Sequence, residues 1–183
     1  MKLNLGCHID WREGYLNVDI EHFETLVLIA RERGMPGPPA GVEFMRHDLT
    51  DWWPWANDSV DVILANELLE HFDNFGLAHV LQEALRVLVP GGVLQGTTPD
   101  FERIMLYAQE QRSWEWAPQL AEGPYPEPAD NALHNFCYGW GHKQVFTLPM
   151  LLFQLRRPGY VNVCVWQSGH HSLGFRAEKG VTS

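Results

Sequence analysis

The sequence has little positive charge and no long apolar run, and each shortage excludes a class of protein. Lys and Arg number 13 against 23 Asp and Glu, which gives a formal net charge of −10. No run of Lys or Arg forms the clustered cations that binding to a DNA or RNA backbone requires. No apolar run approaches the roughly 20 residues of a membrane-spanning helix. The composition therefore argues against nucleic-acid binding and against a membrane protein.

Cysteine is scarce as well. Cys7, Cys137 and Cys164 are odd in number and far apart, which is typical of reduced thiols rather than of a disulfide framework. The chain enters an apolar strand after one lysine, so we expect no signal peptide and a cytoplasmic location. An apolar content of 45% in 183 residues is typical of a globular protein. We expect a single domain over residues 1–183.

The chain does contain a regular alternation of predicted strands and helices. Short apolar runs predict strands, the last two of them adjacent, at residues 3–5, 15–18, 42–47, 59–65, 93–97, 160–166 and 171–178. Apolar residues at helical spacing and capping signals predict helices at residues 23–33, 74–88, 99–112 and 147–157. This pattern predicts a doubly wound, Rossmann-like α/β fold. Its sheet would be mostly parallel and seven-stranded, with a late antiparallel strand and helices on both faces.

The first residues carry the clearest functional pattern. The strand at 3–5 breaks at Gly6, and the next strand ends on the carboxylate of Asp19. Strand, glycine turn, strand and carboxylate is the arrangement of a nucleotide site, in which the carboxylate accepts hydrogen bonds from ribose hydroxyls. The Gly-x-Gly-x-x-Gly pattern is incomplete, because His8 stands where a second glycine would be. The interval is also too short for a helix with two connections, so we expect the first crossover to be a loop.

Residues 114–145 differ in character from the rest of the chain. Prolines alternate there with Trp114, Trp116 and Tyr125. The segment is too long and too aromatic for a simple connector, so we predict a flap over an acceptor pocket. An extra layer of core under a long loop is an equally good interpretation.

Several stretches follow the order of the motifs of one family. They are Leu3–Cys7, Asn17–Asp19, His47–Leu49, Pro54–Ile63, Leu69–His71 and Leu85–Leu94. Over nearly its whole length the chain resembles the class I S-adenosylmethionine (SAM) dependent methyltransferases. The segment Tyr138–Lys143, with its Gly-His-Lys element, is similar to that of a subgroup of short members.

The resemblance implies SAM as the cofactor, with S-adenosylhomocysteine as the product. The cofactor-binding residues that it implies are Gly6, Cys7, His8, Asp19, Ile20, Asp48, Leu49 and Asn66. Asp19 is expected at the ribose and Asp48 at the adenine amino group. A role for Asp48 in a turn or helix cap stays open.

One departure from the family pattern concerns His8. It places a side chain where the backbone of the family usually meets the ligand, which would weaken cofactor binding or require a second subunit to complete the site. A homodimer is therefore one expectation. A SAM-binding module without turnover is an alternative.

Three residues are candidates for a catalytic base, namely Glu67, His71 and His142. Glu67 follows the carboxyl end of the fourth strand, where doubly wound sheets place their reactive groups. The ordinary pKa of histidine lies near neutrality, although His71 is equally well explained as a helix-end residue that hydrogen-bonds to backbone. Glu70 is as well explained by bracing the first turn of its helix.

A zinc site is not expected. His134, Cys137 and His142 are the residues that invite one, but their spacing fits no compact ligand set and a fourth ligand is not evident.

The sequence thus predicts a SAM-dependent methyltransferase that acts on a small-molecule or saccharide nucleophile, at oxygen or nitrogen. The acidic composition and the aromatic segment 114–145 favour such acceptors over nucleic acid. A methyltransferase that acts on protein or RNA is a further alternative.

Overall fold

The computed structural model describes residues 1–109, 134, 136–137, 140–169 and 171–181. Its strands are β1 (Lys2–Leu5), β2 (Leu16–Asp19), β3 (Glu43–Arg46), β4 (Val60–Asn66), β5 (Leu88–Pro99), β6 (Val161–Ser168) and β7 (Ser172–Glu178). Its helices include α1 (Phe23–Glu32), α2 (Asn74–Val87), α3 (Phe101–Gln109), α4 (Leu148–Arg156) and the short 3-10 helix Leu69–His71. Most of the predicted flap at 114–145, and the end of the helix predicted at 99–112, lie outside the described residues.

The seven strands form one sheet in the order β3-β2-β1-β4-β5-β7-β6. The first five strands pair in parallel, and β7 runs antiparallel to both of its neighbours. The predicted fold, a mostly parallel sheet with a late antiparallel strand and surrounding helices, is confirmed. Strand order reverses at β1, which has β2 on one side and β4 on the other. Open α/β sheets bind ligands beside such a point, outside the carboxyl ends of the strands.

The helices lie close to the positions that the sequence predicts. Helix α2 begins where the Asp73 carboxylate accepts hydrogen bonds from two backbone amides of the first turn. The Thr147 hydroxyl caps α4 in the same way, by accepting from the backbone amide of Met150. The buried face of α2 joins the central core, and it consists of Leu77, Val80, Leu81, Glu83, Ala84 and Val87. None of the described helices is long and apolar enough to cross a membrane.

The prediction that the fifth strand begins at residue 93 was wrong. Residues 89–92, which look like a turn in isolation, lie inside β5. Pairing with β4 passes from Val60↔Leu88 to Val62↔Val93, so the residues between Leu88 and Val93 bulge out of the ladder. Lys179 forms backbone hydrogen bonds with Gly91 and Gly92, and these bonds satisfy two polar groups of the bulge.

The crossover from β1 to β2 is a loop over residues 6–15, as predicted. Two buried asparagines hold it: Asn4 donates from Nδ2 to the Asp10 carbonyl at 2.7 Å and to Asn17 Oδ1 at 2.8 Å. Asn17 Oδ1 also accepts from the backbone amide of Arg12 at 2.9 Å. Asn17 Nδ2 lies within 3.2 Å of carbonyls of the loop and of β3, those of Arg12, Tyr15 and Glu43. Side-chain bonds to backbone therefore replace the helix that usually orders such a connection.

Candidate cofactor and acceptor site

A cavity of about 770 Å³ lies at the carboxyl ends of the parallel strands. The residues that line it are Asn4, Gly6, Cys7, His8, Ile9, Asp10, Asp19, Ile20, His47, Asp48, Leu49, Thr50, Asn66, Glu67, Leu68, His71, Phe72 and Lys143. All the cofactor residues expected from the sequence are among them, as are Glu67 and His71. His142 does not line the cavity.

Gly6 occupies a position that other residues fit poorly. Its φ of +60° lies in the left-handed region, and a Cβ atom there would come within 2.5 Å of Leu68 Cδ1. The missing side chain thus lets the loop turn directly beneath the cavity. This is the kind of close backbone approach that a nucleotide-type ligand needs.

The Asp19 carboxylate is fixed at the end of β2. One of its oxygens accepts a hydrogen bond from the backbone amide of His8 at 2.8 Å, and the other accepts from the amide of Glu21 at 3.0 Å. The residue is only 8% exposed. Because a carboxylate oxygen can accept more than one hydrogen bond, Asp19 still has acceptor capacity toward the cavity. This arrangement fits the vicinal hydroxyls of a ribose.

His8 keeps a backbone conformation that favours glycine. Its φ is +43°, a region that costs a residue with a Cβ atom about 1–2 kcal/mol. Burial lowers the pKa of the imidazole, and the positive charge of Arg33 lowers it further. His8 therefore presents a neutral ring to the cavity, and its backbone amide orients Asp19.

Cys7 is a packing residue rather than a nucleophile. It is 2% exposed, and burial together with the negative charge of Asp19 raises the pKa of its thiol to about 12. The reactive thiolate is consequently absent at neutral pH.

Asp48 takes part in a turn, the role that the sequence left open for it. Its Oδ1 accepts hydrogen bonds from the Thr50 amide at 2.9 Å and from the Thr50 hydroxyl at 2.7 Å. These two bonds lower the pKa of the Asp48 carboxyl. The turn does not use Oδ2, so the same residue can accept a hydrogen bond from a group in the cavity.

Glu67 lies on the acceptor side at the carboxyl end of β4. It is exposed, has a φ of +45°, and donates its backbone amide to the Thr97 carbonyl at 2.8 Å. The Ser172 hydroxyl of β7 donates to Glu67 Oε1 at 3.0 Å. A left-handed backbone thus turns the chain out of the sheet while a neighbouring strand orients the carboxylate.

Glu70 is buried rather than placed at the surface of its helix. It is 1% exposed, and its Oε2 accepts a hydrogen bond from the Thr98 hydroxyl at 2.8 Å. Its Oε1 is buried and has no hydrogen-bond partner among the described residues. Burial and the negative charge of Glu67 raise the pKa of the Glu70 carboxyl to about 8.

His71 and His142 contact each other, with ring centroids 4.9 Å apart. Burial is the main cause that lowers the pKa of both imidazoles. The Lys143 ammonium lowers the pKa of His71 further. His142 Nδ1 donates to the carbonyl of Phe136. His142 therefore packs against His71 and reaches the cavity only through it.

The residues that come together in the structure differ from the set considered for zinc in the sequence, which was His134, Cys137 and His142. Among the described residues, the potential ligands that come together are Glu70, His71 and His142, whose ligand atoms all lie within 4.8 Å of one another. His134 and Cys137 are not in this group. The sequence contained a partial signal, since Glu70 and His71 are adjacent, but their proximity to His142 depends on the fold.

Sequence reasoning missed several residues of the site. The two asparagines that order the crossover, Asn4 and Asn17, are polar residues inside apolar strands, and that is a signal that could have identified them. His47, Thr50 and Phe72 line the cavity without any motif to distinguish them.

The sequence of residues 8–95 matches the family described as "Methyltransferase domain". No curated protein sequence matches the chain. SAM is the cofactor that the family implies, and the glycine turn with the Asp19 carboxylate fits it.

Solved structures share the fold over almost the whole chain. A SAM-dependent methyltransferase of Archaeoglobus fulgidus has a TM-score of 0.64 at 15% identity, covering 97% of this chain and 85% of that one. A Thermotoga maritima SAM-dependent methyltransferase, described as a possible histamine N-methyltransferase, has a TM-score of 0.61 at 16% identity, covering 97% and 81%. A Mesorhizobium loti SAM-dependent methyltransferase has a TM-score of 0.60 at 18% identity, covering 97% and 89%. Residues 8–95 match the methyltransferase-domain family, and the chain has the fold of these SAM-dependent methyltransferases.

Proposed function

We propose that this protein transfers the methyl group of SAM to an oxygen or nitrogen of a small molecule or a saccharide. The observation that carries the proposal is a single cavity that joins two sets of groups. Gly6 and Asp19 line it together with Glu67 and His71. A methyl donor and its acceptor must meet in one such space, since the reaction requires them at attack distance.

The cofactor would be held mainly by the loops that follow β1, β2 and β3. The turn at Gly6 lets the methionyl part approach backbone, and Asp19 accepts from the ribose hydroxyls. Asp48 and Leu49 would contact the adenine, and the backbone of Asn66 would contact the amino group; all three residues line the cavity. These assignments place the sulfonium near the end of β4.

Bound SAM supplies a methyl group that its positive sulfur already activates. The residues of this chain then have to orient the acceptor, exclude water and receive a proton where the acceptor carries one. Glu67 is exposed and oriented by Ser172, so it can contact the acceptor directly. The neutral imidazole of His71 lines the cavity, and the ring of His142 packs against it. We propose these three residues as the proton-accepting group.

The acceptor class follows from charge. A net charge of −10 and the absence of a Lys or Arg run support a small or saccharide acceptor over a polyanion. The proposal includes a single domain over residues 1–183 that works in the cytoplasm, with 114–145 covering the acceptor. A homodimer would be a means of completing the site around His8.

Cofactor binding tests the first half of the proposal. Titration calorimetry with SAM and with S-adenosylhomocysteine should give one site per chain. Asp19→Asn keeps the shape of the side chain but removes its charge, so it should weaken binding by roughly 10- to 100-fold, about 1.5–3 kcal/mol. The control Glu13→Gln removes an exposed charge outside the cavity and should leave binding unchanged. Equal affinity of Asp19→Asn and the unaltered protein would contradict the assignment.

Methyl transfer tests the second half. The protein is incubated with methyl-labelled SAM and a cell extract, and the label is then followed in small-molecule and polymer fractions. Label in the small-molecule fraction supports the proposal, whereas label in protein or RNA supports a macromolecule methyltransferase. Cofactor binding without any transferred label would identify a SAM-binding module. No binding of either cofactor at millimolar concentration would reject all three functions.

A further inference from the structure

Three side chains from two distant parts of the chain converge next to the cavity. The ligand atoms of Glu70, His71 and His142 all lie within 4.8 Å of one another. His71 and Glu70 come from the 3-10 helix after β4, and His142 comes from the segment before α4. The backbone joins the two segments, since the amides of Lys143 and Gln144 donate to the Glu70 carbonyl at 2.8 and 3.1 Å.

The Glu70 carboxyl forms no ion pair within the part of the chain that the structure describes. Its Oε1 is buried and has no hydrogen-bond partner among the described residues, while Oε2 is held by the Thr98 hydroxyl. A buried carboxylate is costly unless it is paired, protonated or bound to a metal. The nearby Glu67 adds to the negative potential at this point.

One of the two histidines is oriented as metal-binding histidines usually are. His142 donates Nδ1 to the carbonyl of Phe136, and the ring of His71 packs against the ring of His142. In metal sites the same kind of bond to a carbonyl fixes the ring and leaves the lone pair of the other nitrogen for the metal.

We propose that Glu70, His71 and His142 bind one divalent transition-metal cation, with zinc as the best fit. Two imidazoles and one carboxylate form a ligand set that suits zinc and related first-row metals rather than magnesium or calcium. At bond lengths of about 2.0–2.1 Å, tetrahedral ligands lie about 3.4 Å apart. Binding would therefore draw the three side chains somewhat closer together than they are in the described structure.

Three protein ligands leave one coordination position open, as in catalytic zinc sites. Of the three ligands, only His71 lines the cavity, so a coordination position left open on its side would face the cavity. A water molecule or an oxygen of the acceptor fits there. A metal-bound imidazole cannot accept a proton, so in the metal-bound protein the proton-accepting role of the proposed function falls to Glu67. The metal site itself does not depend on the proposed function; only the contact with an acceptor does.

The test is metal binding by the full-length protein in the absence of SAM. The protein is stripped with a chelator and titrated with Zn²⁺ by calorimetry, and with Co²⁺ by visible absorption, which reports ligand type and geometry. We expect one ion per chain. Glu70→Gln keeps the shape and the hydrogen bond to Thr98 but removes the charge, and it should weaken zinc affinity at least 10-fold. His142→Ala should do the same, and it provides a second measurement where Glu70→Gln fails to fold.

The matched control is His22→Ala, because His22 is an exposed histidine outside the cavity and its replacement should leave zinc affinity unchanged. Equal zinc affinity of Glu70→Gln, His142→Ala and the unaltered protein would overturn the proposal, as would the absence of zinc binding at micromolar concentration. A thiolate-to-cobalt band that depends on Cys137 would also overturn it, in favour of a site with His134. SAM binding measured separately distinguishes a failed metal site from a failed methyltransferase assignment.

Discussion

The two walls of the cavity are held in different ways. The cofactor wall, residues 4–20 with 47–50, is ordered by side-chain bonds to nearby backbone, such as those of Asn4 and Asn17. The acceptor wall, residues 67–72 with 142–144, is ordered by contacts between segments far apart in the chain. The cofactor wall is thus a local structure that short motifs can specify, whereas the acceptor wall exists only once the chain has folded.

The carboxyl groups of the two walls differ in how they are satisfied. Both oxygens of Asp19 accept backbone hydrogen bonds, and Asp48 closes its own turn. On the acceptor wall, Glu70 has a buried oxygen with no partner among the described residues. The cofactor wall also holds buried polar atoms without a partner there, Trp11 Nε1 and His47 Nε2, so each wall has a place that a ligand could complete.

The largest loss of stability is expected for Asn17→Ala, which lies in the cofactor wall. It removes a side chain that is 0% exposed and bonds to several backbone groups of the crossover. Leaving these groups unsatisfied should lower the free energy of unfolding by about 3 kcal/mol. Urea denaturation measures the loss. The control Asn57→Ala, at an exposed residue that accepts one bond from Arg86, should cost less than about 1 kcal/mol. Equal losses would mean that the crossover does not depend on Asn17.

The next largest effect is expected for Gly6→Ala compared with Gly14→Ala. Both glycines have positive φ, but only Gly6 would bring a Cβ atom against Leu68, while a Cβ at Gly14 meets nothing within 4 Å. Gly14→Ala should cost about 1 kcal/mol from backbone strain, and Gly6→Ala about 2–3 kcal/mol from strain and overpacking. Denaturation curves of the two variants measure the difference. Similar costs would show that Leu68 moves aside freely.

The acceptor wall is tested by Gln144→Ala. Gln144 Nε2 donates to the Phe72 carbonyl at 2.8 Å and so joins the two segments of this wall. We expect a loss of about 1 kcal/mol in stability, together with weaker zinc binding, and SAM affinity that stays unchanged. The exposed Gln82→Ala is the control. An equal loss of SAM affinity would show that the two walls are not independent.

The smallest effect is expected for His8→Gly. Relief of the left-handed strain is partly offset by the greater chain entropy of glycine, so stability should change by less than about 1 kcal/mol. Because the imidazole lines the cavity, SAM binding should tighten by less than about 10-fold, or about 1.4 kcal/mol. His8→Ala separates the two causes, since it removes the ring but keeps the strain. Weaker SAM binding by both variants would identify His8 as a cofactor contact.

Much of the fold followed from local signals. Near-continuous apolar runs identified the buried parallel strands, apolar residues at helical spacing identified α2, and Thr147 marked the start of α4 through the cap that it forms. The bulge in β5 was missed because Val89–Gly92 looks like a turn in isolation. Only the pairing of β4 with β5 shows that those residues stay within the strand.

The cofactor residues could be proposed from the sequence because their determinants are close in the chain. Gly6 must turn directly after β1, and Asp19 must end β2, so strand boundaries alone place both at one edge of the sheet. Asn17 escaped notice because its role depends on which backbone groups the loop presents to it. No short motif encodes that choice.

The sequence by itself determined the order of strands and helices, the glycine turn and the carboxylate at Asp19, because each depends on neighbouring residues. Only the tertiary structure decided that His142 lies against His71 and that Glu70 is buried beside them. Residue types and spacing drew attention to His134, Cys137 and His142, and they led to the expectation of no zinc site. The physical reason is that burial and contact between distant segments depend on packing, which a local pattern does not contain.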